Sequence, residues 1–223
     1  MSFPVFPRLL IGLSIDQSSR FIRLVLGELR IAFDLRDPRG EGHTRLEVPT
    51  FCDENGTQIS YATVIAEYLD ETYGVPLGQS LIGEDPIKRA KVRQIWRYIE
   101  GPVAERVTQP LMFERVHRRA SGQGTPDSIA IQRASTAKAY YFKELEGLTD
   151  QATWIAGPDL SVADLALAAQ LSLLDYLGLI AWTQYPTLAD YYRRLKSRPA
   201  MRPLLADRWE GHIPSPTYAD LDF

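Results

Sequence analysis

Few side chains in this sequence have the type and spacing that covalent or metal chemistry requires. The single cysteine, Cys52, has no second thiol with which to form a C-x-x-C motif, so a small core residue is favoured over a redox nucleophile. The histidines lie far apart and lack metal-ligand spacing: His43, His117 and His212. We therefore expect no metal site and no internal disulfide.

The segment 207–223 (DRWEGHIPSPTYADLDF) carries residues suited to binding rather than catalysis. Two prolines, Pro214 and Pro216, preclude a helix, and aromatic and acidic side chains alternate after them. This pattern is typical of a docking peptide, with these candidate partner-binding residues: Tyr218, Asp220, Leu221, Asp222 and Phe223. The alternative is a segment packed back on its own domain, and the sequence leaves both interpretations open.

A second candidate surface is a basic run between positions 88 and 119. Its Lys and Arg residues outnumber the nearby Glu100, Glu105 and Glu114. They are Lys88, Arg89, Lys91, Arg93, Arg97, Arg106, Arg115, Arg118 and Arg119. In a chain of net charge -3 such a surface suits an acidic partner, although the same pattern is typical of a solvated helix face.

The composition excludes several classes of protein. With 45% hydrophobic and 24% charged residues among 223, the chain resembles an ordinary globular protein. Its net negative charge argues against nucleic-acid binding. An uncharged apolar run of about 18 residues, which a membrane span requires, is absent from the sequence, so no membrane insertion is expected. The start MSFPVFPRLL does not resemble a signal peptide, so we expect a cytoplasmic protein.

Residues 1–73 are predicted to form a small α/β domain. The stretches 8–12 and 31–35 are typical of strands, and an amphipathic helix starting at Ser18 lies between them, which favours a parallel β-α-β unit. The pattern places the apolar face of this helix inward and these charged residues outward: Arg20, Arg23, Glu28 and Arg30.

The rest of this domain is predicted to be a hairpin and a helix. The loop 36–45 precedes two short strands, 47–52 and 57–60, which flank Asn55-Gly56, a dipeptide that favours a tight hairpin turn. A helix over 61–73 follows, with apolar residues at helical spacing.

Residues 74–85 are rich in turn formers and are predicted to be a linker, and residues 86–206 to be all helical. Asp85-Pro86 is a helix start, and the first helix is expected to run to about residue 119, with bends at Gly101-Pro102 and at Pro110. Asp127 is expected to cap a helix to about residue 147, and Thr187 one that ends at 197.

The central element of the helical domain is the segment 161–178. Ser161 is a good N-cap, and Asp164 three residues later can complete a capping box. Residues 165–174 are apolar on nearly every face, so this helix is expected to be buried inside a bundle. Residues 207–223 then remain as an extended tail.

Four local patterns resemble those of the glutathione S-transferase superfamily: Val48-Pro49 before the hairpin, residues 65–69 (IAEYL), residues 161–164 (SVAD), and Tyr185-Pro186 with Arg198-Pro199. The resemblance spans about residues 8–207 and implies a thioredoxin-like N-terminal domain followed by an all-helical C-terminal domain. It also implies a cis bond before Pro49, which in that family exposes backbone to glutathione. Structural roles are implied for Pro49, Ser161 and Asp164.

The sequence departs from this superfamily where the thiol of glutathione would be activated. There, a Ser, Cys or Tyr near the end of the first strand donates a hydrogen bond to the thiolate. Here the matching position carries Asp16 or Gln17, and a carboxylate would raise the thiol pKa. Ser14 and Ser18 are the remaining catalytic candidates and require a shifted loop. The alternative for both is solvation or helix capping.

A further departure concerns the γ-glutamyl end of glutathione. The Glu/Gln-Ser pair that holds it in the superfamily is replaced by Tyr61 and Ala62. Together with Asp16, Val48 and Pro49, these residues would outline a vestigial pocket. The span 35–48 is also too short for the helix usual there, so we expect no cofactor and no glutathione binding.

The degenerate site and the segment 218–223 together resemble glutathione-transferase-like bacterial division proteins that bind the tubulin-like GTPase FtsZ. The resemblance implies a non-catalytic homodimer that bundles or curves FtsZ filaments at the division site, with further division proteins as partners. The alternatives are an atypical glutathione S-transferase that uses Ser14 or Ser18, and an adaptor with an unrelated partner.

Overall fold

The computed structural model describes residues 6–38 and 48–223 of the chain. Its N-terminal part contains four strands: β1 Leu9–Ile11, β2 Asp34–Arg36, β3 Thr50–Cys52 and β4 Gln58–Ser60. They form one sheet in the order β2-β1-β3-β4, in which β1 and β2 are parallel and β3 is antiparallel to β1 and β4. The predicted β-α-β unit and hairpin are confirmed. His43 and most of the predicted loop 36–45 lie outside the described residues.

Two helices pack on this sheet and on each other: α1 Gln17–Glu28 and α2 Ala62–Leu69. Asp16, rather than Ser18, is the N-cap of α1, because its carboxylate accepts a hydrogen bond from the backbone N of Ser19 at 2.7 Å. The chain after α2 continues as a π-helical and a 3-10 turn to Leu77, so the first residues of the predicted linker are helical.

The inner face of α1 differs from the prediction. Arg20 and Arg23 are buried, with 0% of Arg20 exposed, and both donate hydrogen bonds to the carboxylate of Asp207. Glu28 is partly buried as well, because Arg198 donates two hydrogen bonds to it at 2.6 Å. The outward assignment of these three residues is wrong because hydrophobic periodicity does not register charges that are paired across domains.

The helical domain begins with a nearly continuous helical segment from Pro86 to Ala120, capped by Asp85. Two π-helical stretches interrupt it, and Pro102, at one predicted bend, lies inside the first. The segment comprises α3 Pro86–Tyr98, a π-helix Ile99–Thr108, α4 Gln109–Met112, a π-helix Phe113–His117 and α5 Arg118–Ala120.

Four further helices complete the domain: α6 Ser128–Asp150, α7 Val162–Tyr176, α8 Pro186–Lys196 and α9 Arg202–Leu205. All residues of α7 are buried, as predicted for the central helix. The capping box is present, and Asp164 Oδ2 accepts hydrogen bonds from the backbone N and the hydroxyl of Ser161, at 2.7 and 2.6 Å. Thr187 does not cap α8, because the helix begins earlier, at Pro186 after Tyr185.

The segment 207–223 contains turns but no helix or strand. It packs back across both α1 and the helical domain rather than extending into solvent. None of the helices among residues 6–38 and 48–223 combines the length and the apolar character needed to cross a bilayer.

Candidate functional site

The loop between β1 and α1 ends at Asp16, one of the two residues, with Gln17, that the resemblance matches to the thiol-activating hydroxyl of the superfamily. Asp16 Oδ2 accepts hydrogen bonds from the backbone N and the hydroxyl of Ser19, at 2.7 and 2.8 Å. Burial raises the pKa of Asp16, against the lowering effect of these hydrogen bonds. In its charged form this side chain accepts hydrogen bonds and repels a thiolate, so it cannot replace a hydroxyl donor.

Ser14 and Ser18, the two alternative nucleophile activators, flank Asp16 and are both half-buried. The backbone carbonyl of Ser14 accepts a hydrogen bond from Arg20 at 2.9 Å, which fixes the loop. Neither hydroxyl makes a hydrogen bond to another residue of the described chain. Neither serine lines the cavity beside Asp16, where a donor to a bound thiolate would have to lie.

Asp16 and Gln17 border a cavity of about 250 Å³ between α1 and the helical domain. Its other lining residues are mostly apolar: Ile15, Thr108, Gln109, Met112, Phe113, His117 and Leu173. The cavity has room for a small apolar group. The hydroxyl of Thr108 borders this space but donates its hydrogen bond to Gln170 Oε1 at 2.8 Å, so it is not available to the thiolate that activation requires.

A second acidic group, Glu100, lies close to Asp16. Gln17 Nε2 donates a hydrogen bond to Glu100 Oε1 at 3.3 Å. Burial raises the pKa of Glu100 to about 7, and the nearby charge of Asp16 adds to this rise. Glu100 cannot be recognised as part of this site from the sequence, because nothing in the chain order indicates that residues 17 and 100 meet.

Replacing Glu100 with glutamine is expected to remove a pH dependence of stability. The pKa of Glu100 lies near 7 rather than near 4.5, so the folded state holds this proton more tightly than the unfolded state does. The resulting stabilisation is fully present below about pH 4.5 and is lost as the pH rises through about 7. At pH 8, Glu100→Gln should therefore be more stable than the parent by about 3 kcal/mol.

Urea denaturation at pH 5 and at pH 8 measures this difference. Glu105→Gln, which changes an exposed carboxyl on the same helical segment, is the control and should leave the pH profile unchanged. Parallel profiles for the parent and Glu100→Gln would contradict the placement of Glu100.

Of the residues that would bind the rest of glutathione, the Val-Pro pair is retained and the pair at 61 and 62 is altered. The Val48-Pro49 peptide bond is cis, as the resemblance implies. Tyr61 is 61% exposed and has a positive φ of 70°, which is uncommon for an aromatic residue, and Ala62 is buried at the start of α2. A phenol and a methyl group therefore stand where the superfamily has the Glu or Gln side chain and the serine hydroxyl that hold the γ-glutamyl group.

The first part of the segment 207–223 is fixed by a buried network around Arg20. Arg20 donates hydrogen bonds to Ser172 Oγ at 3.0 Å, Asp207 Oδ2 at 2.9 Å and the hydroxyl of Tyr218 at 2.7 Å. Tyr218 is 0% exposed, and Trp209 stacks on Tyr176 with ring centroids 3.7 Å apart. Tyr218 is therefore a core residue in this conformation, which corrects its assignment to a partner surface.

The residues after Tyr218 differ from it. Asp220 and Asp222 are exposed, and Leu221 is 45% exposed. Phe223 is half-buried against the helical domain. Of the five candidate partner-binding residues, the structure thus leaves Asp220, Leu221 and Asp222 accessible.

The predicted basic surface is partly neutralised. Four of its members form ion pairs, namely Lys88 with Asp159, Arg89 with Glu71, Arg93 with Glu67 and Arg118 with Glu114. Within the described ranges the other five make no ion pair and are exposed: Lys91, Arg97, Arg106, Arg115 and Arg119. The free positive charge is therefore smaller than the sequence alone indicates.

Cys52 lies on β3, where it is half-buried rather than fully enclosed. Burial raises the pKa of its thiol, which makes it a poorer nucleophile at neutral pH. Among the described residues no group of His, Cys, Asp and Glu side chains is arranged to hold a metal ion.

Comparison with known proteins identifies the family. The profile of the family "Glutathione S-transferase, C-terminal domain" matches residues 108–199. FtsZ-localized protein A from Caulobacter vibrioides is 33% identical over 221 residues, which cover 94% of this chain and 95% of that protein.

Solved structures agree with this comparison. FzlA from C. crescentus superposes with a TM-score of 0.89 at 32% identity, over 98% of this chain and 100% of that one. A glutathione S-transferase from Sinorhizobium meliloti 1021 superposes with a TM-score of 0.90 at 36% identity, with the same coverage. The chain belongs to the glutathione S-transferase-like family that includes FtsZ-localized protein A.

Proposed function

We propose that this protein regulates bacterial cell division by binding FtsZ filaments, and that it does not transfer glutathione. The observation that carries the proposal is the 33% identity with FtsZ-localized protein A across 94% of this chain. On this proposal the protein acts in the cytoplasm at the division site. There it bundles or curves FtsZ filaments and binds further division proteins.

The chemistry around Asp16 supports the non-enzymatic part of the proposal. An activating site needs a donor that stabilises a thiolate. Here Asp16 is committed to capping α1, and Glu100 adds a second acidic group beside it. A thiolate in this position would have its pKa raised, so the reactive form would become scarcer at neutral pH.

The second candidate function is that of an atypical glutathione S-transferase. The 36% identity with a glutathione S-transferase from Sinorhizobium meliloti favours it. Calorimetric titration with glutathione separates the two functions, because the regulator is expected to give no binding heat. Saturable binding, together with thiol conjugation that is lost in Ser14→Ala or Ser18→Ala, would support the enzyme.

We further propose that Asp220, Leu221 and Asp222 contact FtsZ, because they are the accessible members of the acidic and aromatic segment. The triple variant Asp220→Asn, Leu221→Ala, Asp222→Asn removes two charges and an apolar side chain. We expect it to weaken filament binding by about tenfold or more, which corresponds to about 1.4 kcal/mol. Co-sedimentation with GTP-assembled FtsZ over a range of concentrations measures the change.

Glu210→Gln is the matched control, because Glu210 is an exposed acidic residue of the same segment, on the other side of Tyr218. It should bind as the parent does. Equal pelleting of the triple variant and the parent would place the FtsZ contact elsewhere on the protein.

The protein is also proposed to act as a homodimer. A groove of about 780 Å³ lies between α3 and α6, and its apolar lining includes Ile95, Tyr98 and Leu148. Beside it Tyr140, which is exposed, packs edge-on against Tyr141 with ring centroids 5.1 Å apart. A second copy seated here would give two filament contacts per particle and hence avidity on a repeating polymer. Sedimentation equilibrium reports directly on this assembly.

A further inference from the structure

Phe223 occupies a socket built from four side chains of the helical domain. Its ring centroid lies 5.0 Å from that of Trp182 and 6.0 Å from that of Tyr192. The Nζ atom of Lys196 lies 4.2 Å from the same centroid, and Arg193 Nε donates a hydrogen bond to the Phe223 carbonyl at 2.7 Å. We refer to Trp182, Tyr192, Arg193 and Lys196 as the aromatic socket.

Lys196 makes the socket dependent on an occupant. It is 1% exposed, and the nearest carboxylate oxygen, Asp175 Oδ2, is 3.8 Å away. Its ammonium group instead donates hydrogen bonds to the backbone carbonyls of Thr217, at 2.6 Å, and Asp220. Without this segment a buried cation would lose a carbonyl acceptor and the face of an aromatic ring, which is unfavourable unless another group replaces them.

The occupant is held much less firmly than the chain before it. Tyr218 is fully buried and bonded to Arg20, whereas residues 219–222 are all exposed. Beyond Tyr218 the attachment consists of the Phe223 ring and the bonds from Arg193 and Lys196 to backbone carbonyls. These contacts must offset the entropy lost by ordering five residues. Because none of these contacts involves the side chain of Tyr218, residues 219–223 can leave the socket without a change in the buried network around Tyr218.

We propose that the aromatic socket is a binding site for an extended peptide with an aromatic side chain among carboxylates, and that residues 219–223 are its resident, exchangeable occupant. The chemistry of the site selects this class of ligand. Two rings and an ammonium group receive the aromatic side chain, and the basic groups donate hydrogen bonds to backbone carbonyls. The carboxylates of this ligand class follow the resident sequence, because Arg193 and Lys196 are already partly neutralised by Asp190 and Asp175.

Occupancy of the socket also restrains Asp220, Leu221 and Asp222, the residues proposed to contact FtsZ. Binding of a filament by these residues then competes with binding of the same segment in the socket. The socket therefore competes with FtsZ for binding of this segment. This consequence rests on the function proposed above.

The socket is tested without FtsZ by calorimetric titration of the full chain carrying Phe223→Ala. The probe is the peptide acetyl-Ala-Asp-Leu-Asp-Phe-amide, whose blocked ends exclude a contribution from a free carboxylate. We expect it to bind this variant at least about tenfold more tightly than it binds the parent, in which the resident residue competes. The peptide with Ala in place of Phe should not bind.

Adding Arg193→Gln to Phe223→Ala should weaken peptide binding, and this half-exposed residue can be changed without opening the core. Equal affinity of the peptide for the parent and for Phe223→Ala, or no binding to either, would overturn the proposal.

A second arm separates this proposal from the FtsZ function. Arg193→Gln in the otherwise unchanged chain loosens the segment and leaves residues 219–223 intact, so it should increase co-sedimentation with FtsZ. If no version of the chain pellets while the peptide still binds Phe223→Ala, the proposed FtsZ function is refuted and the proposed peptide site is supported. If the parent and Arg193→Gln pellet equally, the competition between socket and filament is refuted.

Discussion

Replacing Arg20 with methionine is expected to lower the free energy of unfolding by about 3–5 kcal/mol, because it breaks a buried ion pair and leaves the other partner in place. Arg20 is fully buried and donates hydrogen bonds to Ser14, Ser172, Asp207 and Tyr218. A methionine fills much of the same volume but donates to none of these groups. Urea denaturation followed by circular dichroism measures the loss.

The same substitution should free the segment 207–223 from α1. Hydrogen exchange of the backbone N–H groups of Ser215 and Tyr218 should become faster, because their hydrogen bonds depend on this packing. Arg202→Met, at an exposed arginine in α9, is the control and should change stability by less than about 0.5 kcal/mol. A loss below 1 kcal/mol for Arg20→Met would contradict the account of this network.

The second large effect is expected for Asp164→Ala at the start of α7. The carboxylate of Asp164 accepts hydrogen bonds from the backbone N of Ile155 at 2.8 Å, from the backbone N and hydroxyl of Ser161, and from the hydroxyl of Tyr191. Alanine leaves several buried donors without an acceptor, so we expect a loss of about 3–5 kcal/mol. Thermal and urea unfolding measure it.

Ser161→Ala provides a graded comparison at the same helix start. It removes the hydroxyl but keeps the bond from the backbone N of residue 161 to Asp164, so a loss of only about 1 kcal/mol is expected. If the two variants lost equal stability, Asp164 would contribute no more than an ordinary cap.

Much of the fold follows from local sequence signals. The capping box of Ser161 and Asp164 depends only on residue types three positions apart, and the buried helix α7 on the length of its apolar run. The β3-β4 hairpin is predicted as well, but its turn runs from Asp53 to Thr57, and only Gly56 of the Asn55-Gly56 pair has a positive φ. The cis bond before Pro49 came from the family resemblance, since residue pattern alone does not distinguish it from a trans bond.

The features that the sequence missed depend on contacts between distant residues. Arg20 is a polar position in an amphipathic pattern, and its burial requires Asp207 and Tyr218 to meet α1. Without these contacts, the sequence around Tyr218 is indistinguishable from that of a free docking peptide. Glu100 has a raised pKa because the folded chain buries its carboxyl group and also places it near Asp16.

The most direct test of the account is co-sedimentation of the full chain with GTP-assembled FtsZ, with and without a large excess of glutathione. We expect the chain to pellet with the filaments and glutathione to leave the pelleted fraction unchanged. A chain that stays in the supernatant, and that binds glutathione and conjugates it to an electrophile, would contradict the proposed role and establish the enzyme instead.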